Sequence, residues 1–131
     1  MKKGYKALVA EANAKVEAIS PTEARALAET GALLVDLRDP RELEIEGRIA
    51  GAKHCPRGML EFWIDPESPY HKDWFASGRP IVFFCAGGLR SALSAKTAQD
   101  MGLDNVSHIE GGFGAWKAAG LPFEAGTKPR N

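Results

Sequence analysis

The stretch IVFFCAGGLRSALSAKTAQDM, residues 81–101, carries the clearest structural pattern in the chain. It begins with four apolar residues, turns at the pair Gly87-Gly88, and continues with alanine at every third position from Ala92. A short, unbroken apolar run is typical of a strand that is buried on both faces, as in a parallel sheet. Small side chains on one face would let the following helix lie close to that sheet. The stretch therefore predicts a strand, a loop and a helix in succession.

The alternation of strands and helices continues on both sides of this stretch. Residues 32–35 form another short apolar run, and residues 17–19 and 105–109 have the composition of further strands. Helices are predicted over residues 5–16, 21–28, 89–101 and 112–118, and short helical segments over residues 59–64 and 72–76. Strands that alternate with helices predict an α/β fold, in which a parallel or mixed sheet has helices on both faces.

The length of the chain limits how many domains it can form. A chain of 131 residues suits one compact domain and leaves little room for a second. We therefore expect a single domain over residues 1–131. Within it, residues 1–19 are expected to form an N-terminal helical extension and the first strand, and residues 126–131 a flexible tail.

Composition excludes several classes of protein. Lys and Arg total 17, as do Asp and Glu, and this balance argues against a nucleic-acid partner. No segment approaches the roughly 20 apolar residues that cross a membrane. The basic start Met1-Lys2-Lys3 is not followed by the apolar segment of a signal peptide. The sequence thus predicts a cytoplasmic protein with neither a nucleic-acid nor a membrane partner.

Cys85 lies directly after the predicted strand and directly before the predicted helix. Ligands of open α/β sheets bind at this edge, outside the carboxyl ends of the strands. The glycine pair lets backbone N–H groups converge on one point, and the helix start adds further N–H groups. Arg90 adds a permanent positive charge that can hold a bound oxyanion. These features favour a nucleophilic thiolate at Cys85 over an inert core cysteine.

The size of the loop limits which group it can bind, and therefore which class of reaction is favoured. Cysteine-dependent phosphatases use the pattern C-x5-R, in which five residues separate the nucleophile from the arginine. Here four residues separate Cys85 from Arg90, so the ring is one residue shorter. A smaller group, such as one sulfur atom on the cysteine, fits such a ring better than a phosphoryl ester. A small phosphatase or arsenate reductase is therefore a less favoured alternative.

Five motifs of this chain resemble those of the single-domain rhodaneses, the thiosulfate sulfurtransferase family. They are the loop CAGGLR and the segments VDLR at 35–38, GRIAGA at 47–52, HCPRG at 54–58 and EGGFGAW at 110–116. The resemblance extends from about Ser20 to Pro122 and keeps the order of the motifs. It implies a rhodanese fold, in which a central sheet of five parallel strands is flanked by helices on both faces.

The resemblance also implies an activity and a set of site residues. Cys85 would attack the outer sulfur of thiosulfate or of a persulfide, carry that sulfur as a persulfide, and pass it to a thiophilic acceptor such as cyanide. The implied enzyme is a sulfurtransferase without a cofactor or metal. Its expected substrate-binding residues are Ala86, Gly87, Gly88, Leu89 and Arg90, together with Arg57 near the mouth of the site. A protein sulfur donor or acceptor is a possible partner. The alternative is a sulfur-carrier or regulatory module that acts with a protein partner.

Other polar residues have simpler interpretations. Cys55 could be a resolving thiol if its Cα lay within about 7 Å of that of Cys85, but a buried apolar role is favoured. Asp36 is expected to order its loop through hydrogen bonds. The histidines have no metal-ligand spacing, and no histidine can be placed beside Cys85 from the sequence.

Overall fold

A computed structural model describes residues 1–130 of the chain. The strands are β1 (Glu17–Ile19), β2 (Leu33–Asp36), β3 (Lys53–His54), β4 (Ile81–Phe84) and β5 (Val106–Ile109). The helices are α1 (Tyr5–Asn13), α2 (Pro21–Glu29), α3 (Pro40–Glu46), α4 (Leu60–Ile64), α5 (Leu89–Asp100) and α6 (Gly112–Ala118). Short 3-10 helices cover Arg57–Met59 and Asp73–Ala76.

The strands form one sheet in the order β1-β5-β4-β2-β3, and all neighbouring pairs are parallel. The predicted fold, a five-stranded parallel sheet flanked by helices, is confirmed. Phe83 in the central strand pairs with Val35 on one side and with His108 on the other. Since β4 is central, the segment that follows it begins in the middle of the carboxyl edge of the sheet.

Both faces of β4 are buried, as its apolar run predicts. Ile81 and Phe83 belong to the core on one face, whereas Val82 and Phe84 belong to the core on the other. The alanine stripe of α5 lies against the first of these faces, where Ala95 and Ala98 are fully buried. Small side chains therefore bring α5, and the loop before it, close to the sheet.

The structure contains helix α3, which was not predicted from the sequence. Helix α3 starts with a capping box, in which the side chain of Asp39 accepts from the N–H of Arg41 and Glu42 returns a bond to the N–H of Asp39. The predicted first helix ends at Asn13 rather than at residue 16.

Thr127 and Lys128, near the end of the described residues, lie against α3. The N–H groups of Thr127 and Lys128 donate to the carbonyl of Glu44 at 2.7 and 2.9 Å. The segment predicted as a flexible tail thus has backbone hydrogen bonds to the rest of the fold, and Asn131 lies outside the described residues. No helix within residues 1–130 has both the length and the apolar character that a membrane crossing requires.

Candidate active site

Cys85 lies at the base of a tight loop, residues 85–91, which we call the Cys85 loop. Its side chain is 1% exposed. The sulfur accepts hydrogen bonds from the backbone N–H of Gly88 at 3.1 Å and from that of Ser91 at 3.4 Å. The chain can turn this way because Gly88 has a φ of +102°, a conformation that favours glycine. Amides therefore do converge on the sulfur, and one of them belongs to Ser91, just beyond the predicted residues 86–90.

Other amides of the loop have no hydrogen-bond partner within residues 1–130. Among the described residues, we find no hydrogen-bond acceptor for the N–H groups of Ala86, Gly87, Leu89 and Arg90. Ala86, Gly87 and Leu89 are exposed at the surface. Unpaired N–H groups at a helix start form a site for an anion. The loop thus has donors for a bound anion in addition to those that bind Sγ.

A second glycine turn holds the Cys85 loop in place. The N–H of Phe113 donates to the carbonyl of Cys85 at 2.8 Å, and that of Gly114 to the carbonyl of Ala86 at 3.1 Å. A Cβ atom on Gly112 would lie 2.8 Å from the carbonyl carbon of Ala86. This turn connects β5 to α6, and because its glycines have no side chains it can also bind the backbone of the Cys85 loop.

Arg90 forms a bidentate ion pair with Glu42 of α3, with N–O distances of 2.7 and 3.0 Å. The bond to Arg90 holds the pKa of the Glu42 carboxyl below its usual value. Glu42 likewise raises the pKa of the Arg90 guanidinium, and Cys85 contributes less to that shift. The charge of Arg90 is thus partly compensated before any substrate binds. Sequence reasoning missed Glu42, whose only visible signal is its place in the capping box of α3.

Arg57, the other expected substrate contact, is also paired. Its guanidinium lies 3.0 Å from the carboxylate of Glu61, one helical turn further on, and both side chains are partly exposed. The expected contact between Arg57 and an anionic donor stays a prediction.

Cys55 occupies a different environment. Its side chain is fully buried, and its sulfur has one weak contact, at 3.8 Å, to the carbonyl of Pro56. Burial raises the pKa of the Cys55 thiol from 9.0 to about 12. Both cysteines are free thiols. These features agree with the favoured interpretation of Cys55 as a small buried apolar residue.

Asp36 and Arg38 form a buried ion pair behind the site. The Nη2 atom of Arg38 lies 2.8 Å from the Asp36 carboxylate, and the two side chains are 1% and 2% exposed. Arg38 also donates to the carbonyl of Gly47 at 2.9 Å and lies over the ring of Phe113, 4.2 Å from its centroid. Asp36 therefore orders its loop, as expected, and the pair connects the end of β2 with α3 and α6.

Ser91 and His108 are neighbours of Cys85 that sequence reasoning missed. The hydroxyl oxygen of Ser91 lies 3.6 Å from the sulfur of Cys85 and 2.9 Å from Nδ1 of His108. Nε2 of His108 lies 2.9 Å from Oδ1 of Asn13 at the end of α1. Burial lowers the pKa of His108. This histidine lies near the site because β5 pairs with β4, and the sequence alone does not give the register of that pairing.

The structure also bears on metal binding. No three His, Cys, Asp or Glu side chains in the described part of the chain are grouped to hold a metal ion.

The chain matches one protein family and is similar to named proteins. The model of the rhodanese-like domain family matches residues 20–119. The chain is 33% identical over 100 residues to the thiosulfate sulfurtransferase GlpE of Ectopseudomonas mendocina. That match covers 76% of this chain and 84% of the relative.

Two solved structures are similar over most of their length. One is a protein of unknown function from Rhodopseudomonas palustris, described as a possible tyrosine phosphatase. It is 57% identical with a TM-score of 0.91, and the match covers 95% of this chain and 96% of that one. The other is the polysulfide-sulfur transferase homodimer of Wolinella succinogenes. It is 34% identical with a TM-score of 0.71, over 91% of this chain and 85% of that one.

Proposed function

Since the chain belongs to the rhodanese-like domain family and is an enzyme of the sulfurtransferase type, we propose that it works through a persulfide on Cys85. It moves a sulfane sulfur from thiosulfate or a persulfide donor to a thiophilic acceptor. The observation that carries the proposal is the sulfur of Cys85, which accepts from two backbone amides, while further amides of the same loop have no acceptor in the part of the chain that the structure describes.

In the first half-reaction, the Cys85 thiolate attacks the outer sulfur of the donor. A bond forms between Sγ and that sulfur, and the bond from that sulfur to the rest of the donor breaks. With thiosulfate, the electron pair leaves with sulfite. The new persulfide keeps one negative charge on its outer sulfur, and the free amides of the Cys85 loop stabilise that charge without a side-chain base.

In the second half-reaction, the acceptor attacks the outer sulfur of the persulfide. The bond between this sulfur and Sγ breaks, and its electron pair returns to Cys85 as a thiolate. Cyanide would leave as thiocyanate. The amides bind a sulfur anion in both states, so the loop has no need to rearrange between the two half-reactions.

The charges around the loop favour a donor with little negative charge. Thiosulfate carries two negative charges, whereas Arg90 is paired with Glu42 and the exposed side chain of Leu89 is apolar. A low-molecular-weight persulfide or a protein persulfide fits this surface better. The exposed Leu89, 52% accessible, also supports the alternative of a sulfur-carrier module that docks on a protein partner.

A phosphatase is the competing function suggested by the description of the Rhodopseudomonas palustris protein. Four residues separate Cys85 from Arg90, one fewer than in C-x5-R, so the ring has one amide fewer for a tetrahedral phosphate. The ion pair between Arg90 and Glu42 further reduces the charge that a dianionic ester would meet. p-Nitrophenyl phosphate should therefore not be hydrolysed at a useful rate.

Intact mass spectrometry tests the proposal directly. The protein is incubated with thiosulfate or with glutathione persulfide, and we expect the mass of one added sulfur atom, located on Cys85 by peptide analysis. The Cys85→Ser variant should gain no sulfur, whereas the matched Cys55→Ser variant should gain it normally. Absence of the added sulfur with every donor would overturn the proposal. Rapid loading with very slow thiocyanate formation would instead identify the carrier alternative.

A further inference from the structure

A line of hydrogen bonds runs from Cys85 through the interior to the surface of α1. The sulfur lies 3.6 Å from the hydroxyl of Ser91, which lies 2.9 Å from Nδ1 of His108. Nε2 of His108 lies 2.9 Å from Oδ1 of Asn13. The side chains of Cys85, Ser91 and His108 are at most 2% exposed. Four separate elements therefore contribute to one continuous polar path through an otherwise apolar interior.

The chemistry of each group sets the direction of these bonds. The oxygen of the Asn13 amide has no hydrogen and accepts, so Nε2 of His108 carries the ring proton. Nδ1 then has a free lone pair and accepts from the hydroxyl of Ser91. The remaining lone pairs of that hydroxyl face the Cys85 thiol, which donates to them. Every donor along the line thus points from Cys85 toward His108.

We infer that Ser91 and His108 form a proton relay that converts the Cys85 thiol into the thiolate. This inference rests on the proposed function, which requires that thiolate. The thiol proton passes to the oxygen of Ser91 while the hydroxyl proton of Ser91 passes to Nδ1 of His108. One S–H and one O–H bond break, and one O–H and one N–H bond form. The products are a thiolate and an imidazolium, and no electron leaves the site.

The new arrangement stabilises the sulfur anion. After the transfer, the hydroxyl of Ser91 points back toward Cys85 and donates to the thiolate, beside the amides of Gly88 and Ser91. The thiol is 1% exposed and has little contact with bulk water. An internal base that is reached through one hydroxyl gives its proton a route that solvent does not offer.

The surroundings of His108 suit a group that is neutral at rest. Burial lowers the pKa of its ring, while the carboxylate of Glu110, directly after the same strand, raises it to a smaller extent. A groove of about 410 Å³ between α1, β1, the Cys85 loop and the turn after β5 borders the ring. Among the described residues that line this groove, Glu110 is the one charged side chain. The neutral ring keeps a free lone pair at Nδ1, and once it has taken the proton, Glu110 and the nearby thiolate stabilise the imidazolium.

Alkylation of Cys85 by iodoacetamide at a series of pH values tests the relay, because alkylation needs the thiolate but no sulfur donor. His108→Gln keeps a polar side chain but cannot take a proton. We expect the pH of half-maximal alkylation to rise by about one unit, which makes labelling about tenfold slower below that pH. Ser91→Ala, which retains its backbone N–H, should have the same effect. The double variant should add nothing further, since both changes break one path.

Asn13→Asp should shift the profile the opposite way. A carboxylate that accepts from Nε2 favours the imidazolium, so we expect half-maximal alkylation at a lower pH. Asn13 is exposed at the end of α1, and the exposed neighbour Ala14 provides the matched control. Ala14→Asp adds the same charge to the helix without the bond to His108, and should leave the profile unchanged.

The outcomes separate the relay from a purely structural network. If the network only packs the core, these variants lower the thermal stability but leave the pH of half-maximal alkylation where it was, and the inference is overturned. If His108→Gln fails to fold, the opposite shifts of Ser91→Ala and Asn13→Asp decide the question. Failure of the proposed function is a different result, in which Cys85 alkylates normally but no donor loads it with sulfur.

Discussion

The two cysteines of this protein are equally buried but have opposite surroundings. Cys85 and Cys55 are 1% and 0% exposed, and each directly follows a strand of the same parallel sheet. Each also lies near an arginine–glutamate pair. The sulfur of Cys85 accepts from two amides, whereas the hydrogen bond that the structure gives for the sulfur of Cys55 is a weak one to a carbonyl. Burial raises the pKa of the Cys55 thiol to about 12. A nearby arginine is therefore common to both cysteines. The direction of the backbone amides is what distinguishes them.

The residue that follows each cysteine explains this difference. Cys85 is followed by a turn that contains Gly88 at positive φ, which folds the N–H groups back over the sulfur. Cys55 is followed by Pro56, which has no N–H to offer. The next amide, that of Arg57, donates to the carbonyl of Leu37 at 3.1 Å instead. The loop after β3 is thus unable to surround a sulfur anion.

The largest expected effect is the difference in alkylation rate between the two thiols. At pH 7.5 the Cys55 thiol, with a pKa of about 12, is almost entirely protonated. We expect iodoacetamide to label Cys85 at least about a thousand-fold faster than Cys55 in the folded protein. Peptide mass spectrometry over a time course measures both rates. In urea the two rates should become similar. Similar rates in the folded protein would contradict the prediction that Cys85 is much more reactive than Cys55.

Substitution of one glycine in each loop tests whether the backbone conformation after Cys85 controls stability and persulfide formation. Gly88→Ala forces an L-residue into a φ of +102° and places its Cβ 3.3 Å from the N atom of Gly111. We expect a loss of about 2 kcal/mol in the free energy of unfolding and at least about a tenfold loss in the rate of persulfide formation.

The matched change near Cys55 is Gly58→Ala. Gly58 has an ordinary φ, and a Cβ there meets no atom within 4 Å. Its unfolding free energy should stay within about 0.5 kcal/mol of the parent protein, as for other surface changes. Urea unfolding and mass spectrometry provide both readouts. Equal losses in the two variants would show that the conformation of Gly88 is not what positions the amides.

The pH dependence of stability should reveal the buried Cys55 thiol. Its pKa is 9.0 when unfolded and about 12 when folded, so the folded state binds more protons between these values. The stabilisation is complete below pH 9 and is lost as the pH rises toward 12. At pH 10 the loss from this group is about 1.4 kcal/mol. Cys55→Ala should therefore show a shallower decline than the parent protein in urea unfolding from pH 8 to pH 10. Parallel declines would contradict burial as the cause.

The smallest expected effect concerns the two arginine–glutamate pairs. Glu42→Gln releases Arg90 and should raise kcat/KM for thiosulfate about threefold, the scale of a partly exposed ion pair. A persulfide donor with less negative charge than thiosulfate should respond less. Glu61→Gln releases Arg57 instead, which allows the two arginines to be compared in one thiocyanate assay. A larger gain from Glu61→Gln would identify Arg57, rather than Arg90, as the cation that meets the donor.

Features carried by local sequence could be predicted, and features carried by distant contacts could not. The apolar run of β4, the glycine pair and the alanines of α5 predict the strand, the Cys85 loop and the close packing of the helix. The pairing of Glu42 with Arg90 spans 48 residues, and that of Asn13 with His108 spans 95. Neither follows from any local pattern, because strand order and register bring these side chains together.

Asn13 belongs to α1, which precedes the part of the chain matched by the family, residues 20–119. A protein shortened to those boundaries would retain every residue of the Cys85 loop and lose the amide that orients the His108 ring. Domain limits drawn from family likeness alone would therefore remove a hydrogen-bond partner of a buried histidine. The first helix should be kept in any recombinant form that is used to measure catalysis.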